Sequence, residues 1–361
     1  MIRWWNCGVE TIQGGRLTER NISTKTSRYI AMGVGLVLLA TVYVYVLDTG
    51  FSGADHVVPS SKVEVETHPP PLKIQGAAPT AAAVPTVETH KQQLGVLSAA
   101  TVLNGNLKDW LIGTLDTNPD VLIICFPKLS EQGVTMNRLA AYLEKASAPR
   151  NRLLNDAELK SIIARAGDLP ETFYLGHDYR ISDVARFFDQ AQQQQLILQP
   201  QEQRLLATLI GAGYIKKSAH YEVSEVAEAA KDARALITVS QLTPADLRLL
   251  NLAQNDTILG AAILAHEIGH GEFLTREAYH QQSWSFWKTV LTENERTKWK
   301  ILLKGLDYDL GNEELLVNET QALLLHTPDT RVFNAAHLLI SEQELSSQRI
   351  RFAQAGNSAH K

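Results

Sequence analysis

The stretch NDTILGAAILAHEIGHGEFL, Asn255 to Leu274, decides how this chain is read. Asn255 or Asp256 can cap a helix start, and Ile258, Leu259, Ala262 and Ile263 recur at the spacing of one apolar face. Late in that helix stands His266-Glu267-Ile268-Gly269-His270, an H-E-x-x-H. Residues four apart on a helix lie one above the other, so both imidazoles project to the same side and can share one Zn2+ ion. Glu267 is turned by about 100° from His266, which sets it beside the metal as a general base acting on water. Ala262, Ala265 and Gly269 are small enough to let a neighbour approach closely. Just upstream, ALITVSQL (Ala235 to Leu242) is short, apolar and β-branched, the pattern of a strand.

Catalytic zinc usually takes three protein ligands and keeps one position open. The third candidate is Glu319, in NEELLVNETQALLLHTP, Asn312 to Pro328, which reads as a second helix ended by Thr327-Pro328. Its neighbours at helical offsets are Leu315, Leu316, Ala322 and Leu323, so its carboxylate needs a positive partner, which zinc supplies. Glu313 and Glu314 lie in the first turn, where exposed acids suit the helix dipole. Further candidates are His326, two turns beyond Glu319, and Tyr308, as donors to a ligand or an oxyanion. Packed structural roles stand as the alternative for both. His280, Trp284, Phe286 and Trp287 suit either a cleft wall or an ordinary core cluster. His177-Asp178-Tyr179 has catalytic residue types but no spacing that demands a mechanism.

An H-E-x-x-H followed some fifty residues later by Asn-Glu on a second helix resembles the gluzincin branch of zinc metallopeptidases. The resemblance covers about residues 235–328. It implies His266, His270 and Glu319 as ligands, Glu267 as general base, and a zincin-like helical part. Two features depart from the pattern: Glu272 occupies a usually apolar position, and Asn-Glu-Thr-Gln-Ala matches the fuller gluzincin signature only in part. Phe273 and Arg276 stand where the extended metzincin pattern needs Gly and His.

Outward from the motif, the upstream chain changes character. VLIICF (Val121 to Phe126) reads as a second strand, and its Cys125 as a buried thiol. Helical spacing marks Asn137 to Ala146, Asp156 to Ala166 and Ile181 to Ala191. Asp48 to about Gln93 is rich in Pro and Ala, the composition of an extended spacer. Before it, Tyr29 to Leu47 runs nineteen residues without a charge. As a helix that run spans roughly 28 Å, close to a hydrocarbon core. Arg3, Arg16, Arg20, Lys25 and Arg28 precede it and the next cation is Lys62, so the N-terminus is expected in the cytoplasm and the rest outside. The apolar run is longer than a cleaved signal usually carries, which favours an uncleaved anchor over Ser52-Gly53-Ala54 as a cleavage site.

Composition agrees with a globular exported part. The chain has 361 residues, 45% of them hydrophobic and 20% charged, which is too apolar for a disordered chain. A net charge of −5 argues against nucleic acid as a partner. Two cysteines, Cys7 and Cys125, exclude a disulfide-built scaffold and a four-cysteine zinc module. The expected organisation is a cytoplasmic tail (1–28), a membrane helix (29–47), a linker (48–95), a lobe without readable motif (96–234) and a metal-binding lobe (235–361). The expected fold class is α+β, and the expected function is a membrane-anchored, extracytoplasmic zinc metallopeptidase acting on a peptide or protein. The alternative is a cell-envelope scaffold or binding protein whose metal is structural or lost.

Overall fold

VLIICF and ALITVS lie side by side as parallel strands inside a five-stranded sheet. This computed structural model describes residues 94–217, 220–223 and 235–358. In chain order the elements are β1 (Gly95–Leu97), α1 (Ala99–Asn104), β2 (Leu111–Leu115), β3 (Val121–Phe126), α2 (Leu129–Glu144) and α3 (Asp156–Arg165). Then come β4 (Gly176–Arg180), α4 (Ile181–Gln193), α5 (Pro200–Gly211), β5 (Ile215–Lys217), β6 (Tyr221–Val223) and β7 (Ala235–Ser240). The remainder is helical: α6 (Pro244–Leu249), α7 (Ile258–Thr275), α8 (Glu277–Ser285), α9 (Glu293–Gly305), α10 (Glu313–His326) and α11 (Glu342–Ser358). The architecture is mixed α+β. The expected tail and membrane span, and nearly all of the linker, lie outside the described residues. Among the described residues no helix is long and apolar enough to cross a membrane.

The sheet runs in the order β1-β2-β3-β7-β4. β3 and β7 are parallel, β4 is antiparallel to β7, and β4 forms one edge. β3 and β7 are buried along their whole length, as near-continuous apolar strands must be when both faces are covered. Alternation divides β3 between two cores. Leu122, Ile124 and Phe126 join Met136 and Leu139 of α2, while Val121, Ile123 and Cys125 join Leu259 and Ile263 of α7. Each such aliphatic side chain contributes about 1.5–3 kcal/mol on burial, so the two cores clamp the sheet between α2 and α7. Cys125 is a buried free thiol, as expected, and burial pushes its pKa up to about 12.

Two expected boundaries are redrawn. Gly95, assigned to the linker, instead opens β1, where it pairs with Gly113 so closely that a Cβ on Gly113 would lie 2.3 Å from the Gly95 carbonyl oxygen. β7, the first strand beyond residue 234, sits between β3 and β4, so the two expected lobes share one sheet.

Candidate metal centre

α7 begins where Asp256 accepts the backbone N–H of Ile258 at 3.0 Å and of Leu259 at 3.1 Å, satisfying two unpaired donors of the first turn. Arg331 pairs with both Asp256 and Asp329, tying this helix start to the segment after α10. One side of α7 lies on the sheet, where a Cβ on Gly271 would meet Val121 at 2.9 Å. Another side packs against α10, whose start is capped by Asn312 accepting from Leu315 N–H at 3.2 Å. Between these elements, His266, Glu267, His270 and Glu319 are all fully buried.

The three ligand candidates converge. His266 Nε2 and His270 Nε2 are 3.0 Å apart. Glu319 Oε2 lies 3.9 Å from the first and Oε1 3.8 Å from the second. One ligand atom from each residue lies within 4.8 Å of the others. Two nitrogens each about 2.0–2.1 Å from a tetrahedral zinc would be a little over 3 Å apart, so the pair is at the right spacing.

Hydrogen bonding decides which ring nitrogens carry protons. The Thr327 hydroxyl donates to the Ala322 carbonyl at 3.0 Å, so its oxygen accepts from His266 Nδ1–H at 2.8 Å. His270 Nδ1 faces Asp178 Oδ2 at 3.6 Å, and the Asn318 amide also faces the ring. A proton on that Nδ1 is the arrangement those acceptors favour. Burial holds both imidazoles well below their ordinary pKa, so both are neutral. With Nδ1 protonated on both rings, each Nε2 keeps a lone pair directed at the other across 3.0 Å in a dry site. A cation between them removes that repulsion.

Glu267 lies against the backbone of β4. A Cβ on Gly176 would lie 2.2 Å from Glu267 Oε1, so only glycine leaves room for the carboxylate. Burial lifts Glu267 to about 7, with Glu319 nearby acting in the same direction. Gly176→Ala is expected to lower stability by about 1–3 kcal/mol, the usual penalty of overpacking. Gly260→Ala in the same helix as Glu267 has nothing within 4 Å of the new methyl and is expected to be neutral or stabilising. Denaturant melts of the two variants check this contrast.

Several contributors lie outside the sequence reading. Asp178 belongs to β4, where Gly176 and Asp178 face α7 while His177 and Tyr179 face the opposite core. His177 bonds to Thr238 at 2.9 Å and Gln132 at 3.2 Å, a buried structural link between strand and helix. Asn318 donates to Asp178 Oδ2 at 2.8 Å and accepts from Gln321 at 3.1 Å, and Gln321 also donates to the Gly269 carbonyl at 3.2 Å. The unusual run Asn318-Glu319-Thr320-Gln321 therefore clamps α10 to α7. The signal available in sequence is Asp178 itself, since aspartate is depleted in strands. Glu144, at the end of α2, is buried close to Asp178 and Glu319.

The remaining candidates divide. The Tyr308 hydroxyl reaches Glu319 from a buried position and lowers its pKa, against the larger raising effect of burial. His326 packs on Gly269, whose added Cβ would meet the ring at 2.5 Å, and its Nε2 bonds the Tyr279 hydroxyl at 2.8 Å. Tyr279 in turn donates to Gln321 Oε1 at 2.7 Å, so His326 belongs to the same clamp. Phe286 and Trp287 are buried core residues, while Trp284 donates to His280 at 3.1 Å. Glu272 fits its position because Arg276 pairs with it and Asn118 donates to it at 3.1 Å.

The chain matches no family model, no curated protein and no solved structure. The site therefore speaks through its own chemistry. Buried histidine, aspartate and glutamate side chains could hold a metal ion at His266, His270 and Glu319, and a second grouping joins Asp178, Glu267 and His270.

Proposed function

We propose that this chain is a zinc-dependent metallohydrolase, most simply a metallopeptidase, anchored by its N-terminal apolar run with the metal-binding part outside the cytoplasm. The observation that carries the reading is the paired Nε2 atoms of His266 and His270 at 3.0 Å, each with its other nitrogen facing an acceptor, beside the Glu319 carboxylate as third ligand. Zinc bound there supplies a Lewis acid that polarises a scissile carbonyl and acidifies water. Glu267 takes the proton of the attacking water and delivers it to the leaving amine, and its pKa of about 7 suits both transfers. Tyr308 holds Glu319 in place, and His326 braces α7 through Gly269. β4 ends the sheet beside Glu267, and a sheet edge can pair with an extended peptide.

Hydrolysis of a quenched peptide library by the full chain tests the proposal. Activity is expected to vanish on chelation and to return with zinc. Retained metal with no hydrolysis across the library would favour the scaffold alternative. Asp178→Asn is expected to weaken zinc binding about 10- to 100-fold, the usual effect of removing a carboxylate that orients a metal-binding histidine. Competition with a fluorescent zinc chelator measures that change.

A further inference from the structure

A cavity of about 270 Å³ opens beside the candidate centre, and its floor is anionic. Glu144 and Asp178 line it and are buried, at 4% and 8% exposure. Among the described residues the Tyr179 hydroxyl is the one donor facing the Glu144 carboxyl, and no other group is within hydrogen-bond geometry of either oxygen. Lys145, the neighbouring buried cation, donates to the Leu306 carbonyl at 3.0 Å and rests on the rings of Phe173, Tyr174 and Tyr308. At the mouth, Arg180 pairs with Glu314 at 2.6 Å and Arg186 with Asp183 at 2.9 Å, so their charges are already offset.

A buried carboxylate with one phenolic donor for its two oxygens is costly, and such a group in a cavity marks where a ligand supplies the missing donors. The walls narrow the choice of ligand. Leu143, Phe273, Leu274 and Leu315 are apolar, and the floor offers two carboxylates. A hard cation wants six or more converging oxygen ligands, whereas two of the four lining carboxylates, Asp183 and Glu314, are held by Arg186 and Arg180. A primary ammonium wants a few acceptors and tolerates apolar surroundings. Asp178 joins the cavity to the centre, 3.6 Å from His270 Nδ1.

The geometry points to a pocket for a primary ammonium group carried beside an apolar side chain, the free amino terminus of a peptide, with Glu144 as its principal acceptor. The catalytic meaning of this inference rests on the hydrolase reading: the enzyme removes residues from amino termini and does not cut within chains.

The test uses the full, zinc-loaded chain. Calorimetric titration of the zinc-loaded Glu267→Gln chain, which cannot consume the ligand, compares leucinamide with N-acetyl-leucinamide, and hydrolysis by the unaltered chain compares a leucyl peptide with its N-acetylated form. Leucinamide is expected to bind at least about 10-fold more tightly, the scale of one charged hydrogen bond, and the free-amine peptide to be preferred to the same degree. Glu144→Gln, which keeps the shape, is expected to erase both preferences. Equal binding of the two amides, or no binding of leucinamide, overturns the inference, and the comparison with Glu144 intact decides this even where the Glu144 variant fails to fold. A leucinamide preference with neither peptide cleaved keeps the pocket and overturns the hydrolase reading. Equal cleavage of both peptides does the reverse.

Discussion

Glu267→Gln is expected to reduce peptide hydrolysis by at least about 10²-fold and up to about 10⁴-fold, the range of general acid–base catalysis, while zinc stays bound. The substitution keeps the shape that fits against Gly176 and removes only the proton acceptor. It also removes one of the buried acids packed near Glu319, so the fold should tolerate it well. Paired measurements of turnover and zinc content on one preparation separate the two roles. Loss of both metal and activity would make Glu267 a ligand, in line with its grouping with Asp178 and His270. Unchanged activity would remove it from the mechanism.

Stripping the metal is expected to leave a chain that loses stability as pH rises. Burial lifts Glu267 to about 7 and Glu144 to about 8, and raises Asp178 and Glu319 in the same direction. A carboxyl whose pKa is higher folded than unfolded makes the folded chain the better proton acceptor. Its contribution is fully present below the ordinary value near 4.5 and is lost as pH climbs through 7 and 8. For Glu267 alone the loss is on the order of 3 kcal/mol. Acids held low by arginine, Asp256 and Asp329 among them, are ionised throughout this window and do not mask it. His177, His266 and His270, held low by burial, cost stability as pH falls below 6.5, so the comparison starts at that value. Scanning calorimetry with chelator present should give a lower Tm at pH 8.5 than at pH 6.5, and zinc at pH 8.5 should restore it. A chelated chain equally stable at both pH values would show that the buried acids already have sufficient partners.

The centre is legible in sequence where chemistry and period coincide. His266 and His270 stand one turn apart on a long apolar helix, and Glu319 is an acid where a helix should be apolar. Thr327 is visible in sequence only as a helix stop, yet its hydroxyl selects the tautomer of His266, a contact between residues 61 apart in sequence. Asp178 is readable as a residue type but acquires its meaning from β4 pairing with β7, a register no local pattern specifies. The helical pattern of α2 is plain only from Asn137 because Gly133 and Thr135 are poor helix formers. Packing of Gly133 onto Pro170 overrides that weakness. The sheet order is hidden for the same reason as the role of Asp178: β7 returns to lie between strands from far earlier in the chain.

The most direct test of the metal centre is zinc content by mass spectrometry on the full chain and on Glu319→Ala. One zinc per wild-type chain, with most of it lost in the variant, is the predicted result. No zinc bound to the wild-type chain after reconstitution would contradict the account, leaving the paired histidines a buried hydrogen-bonding unit of the fold.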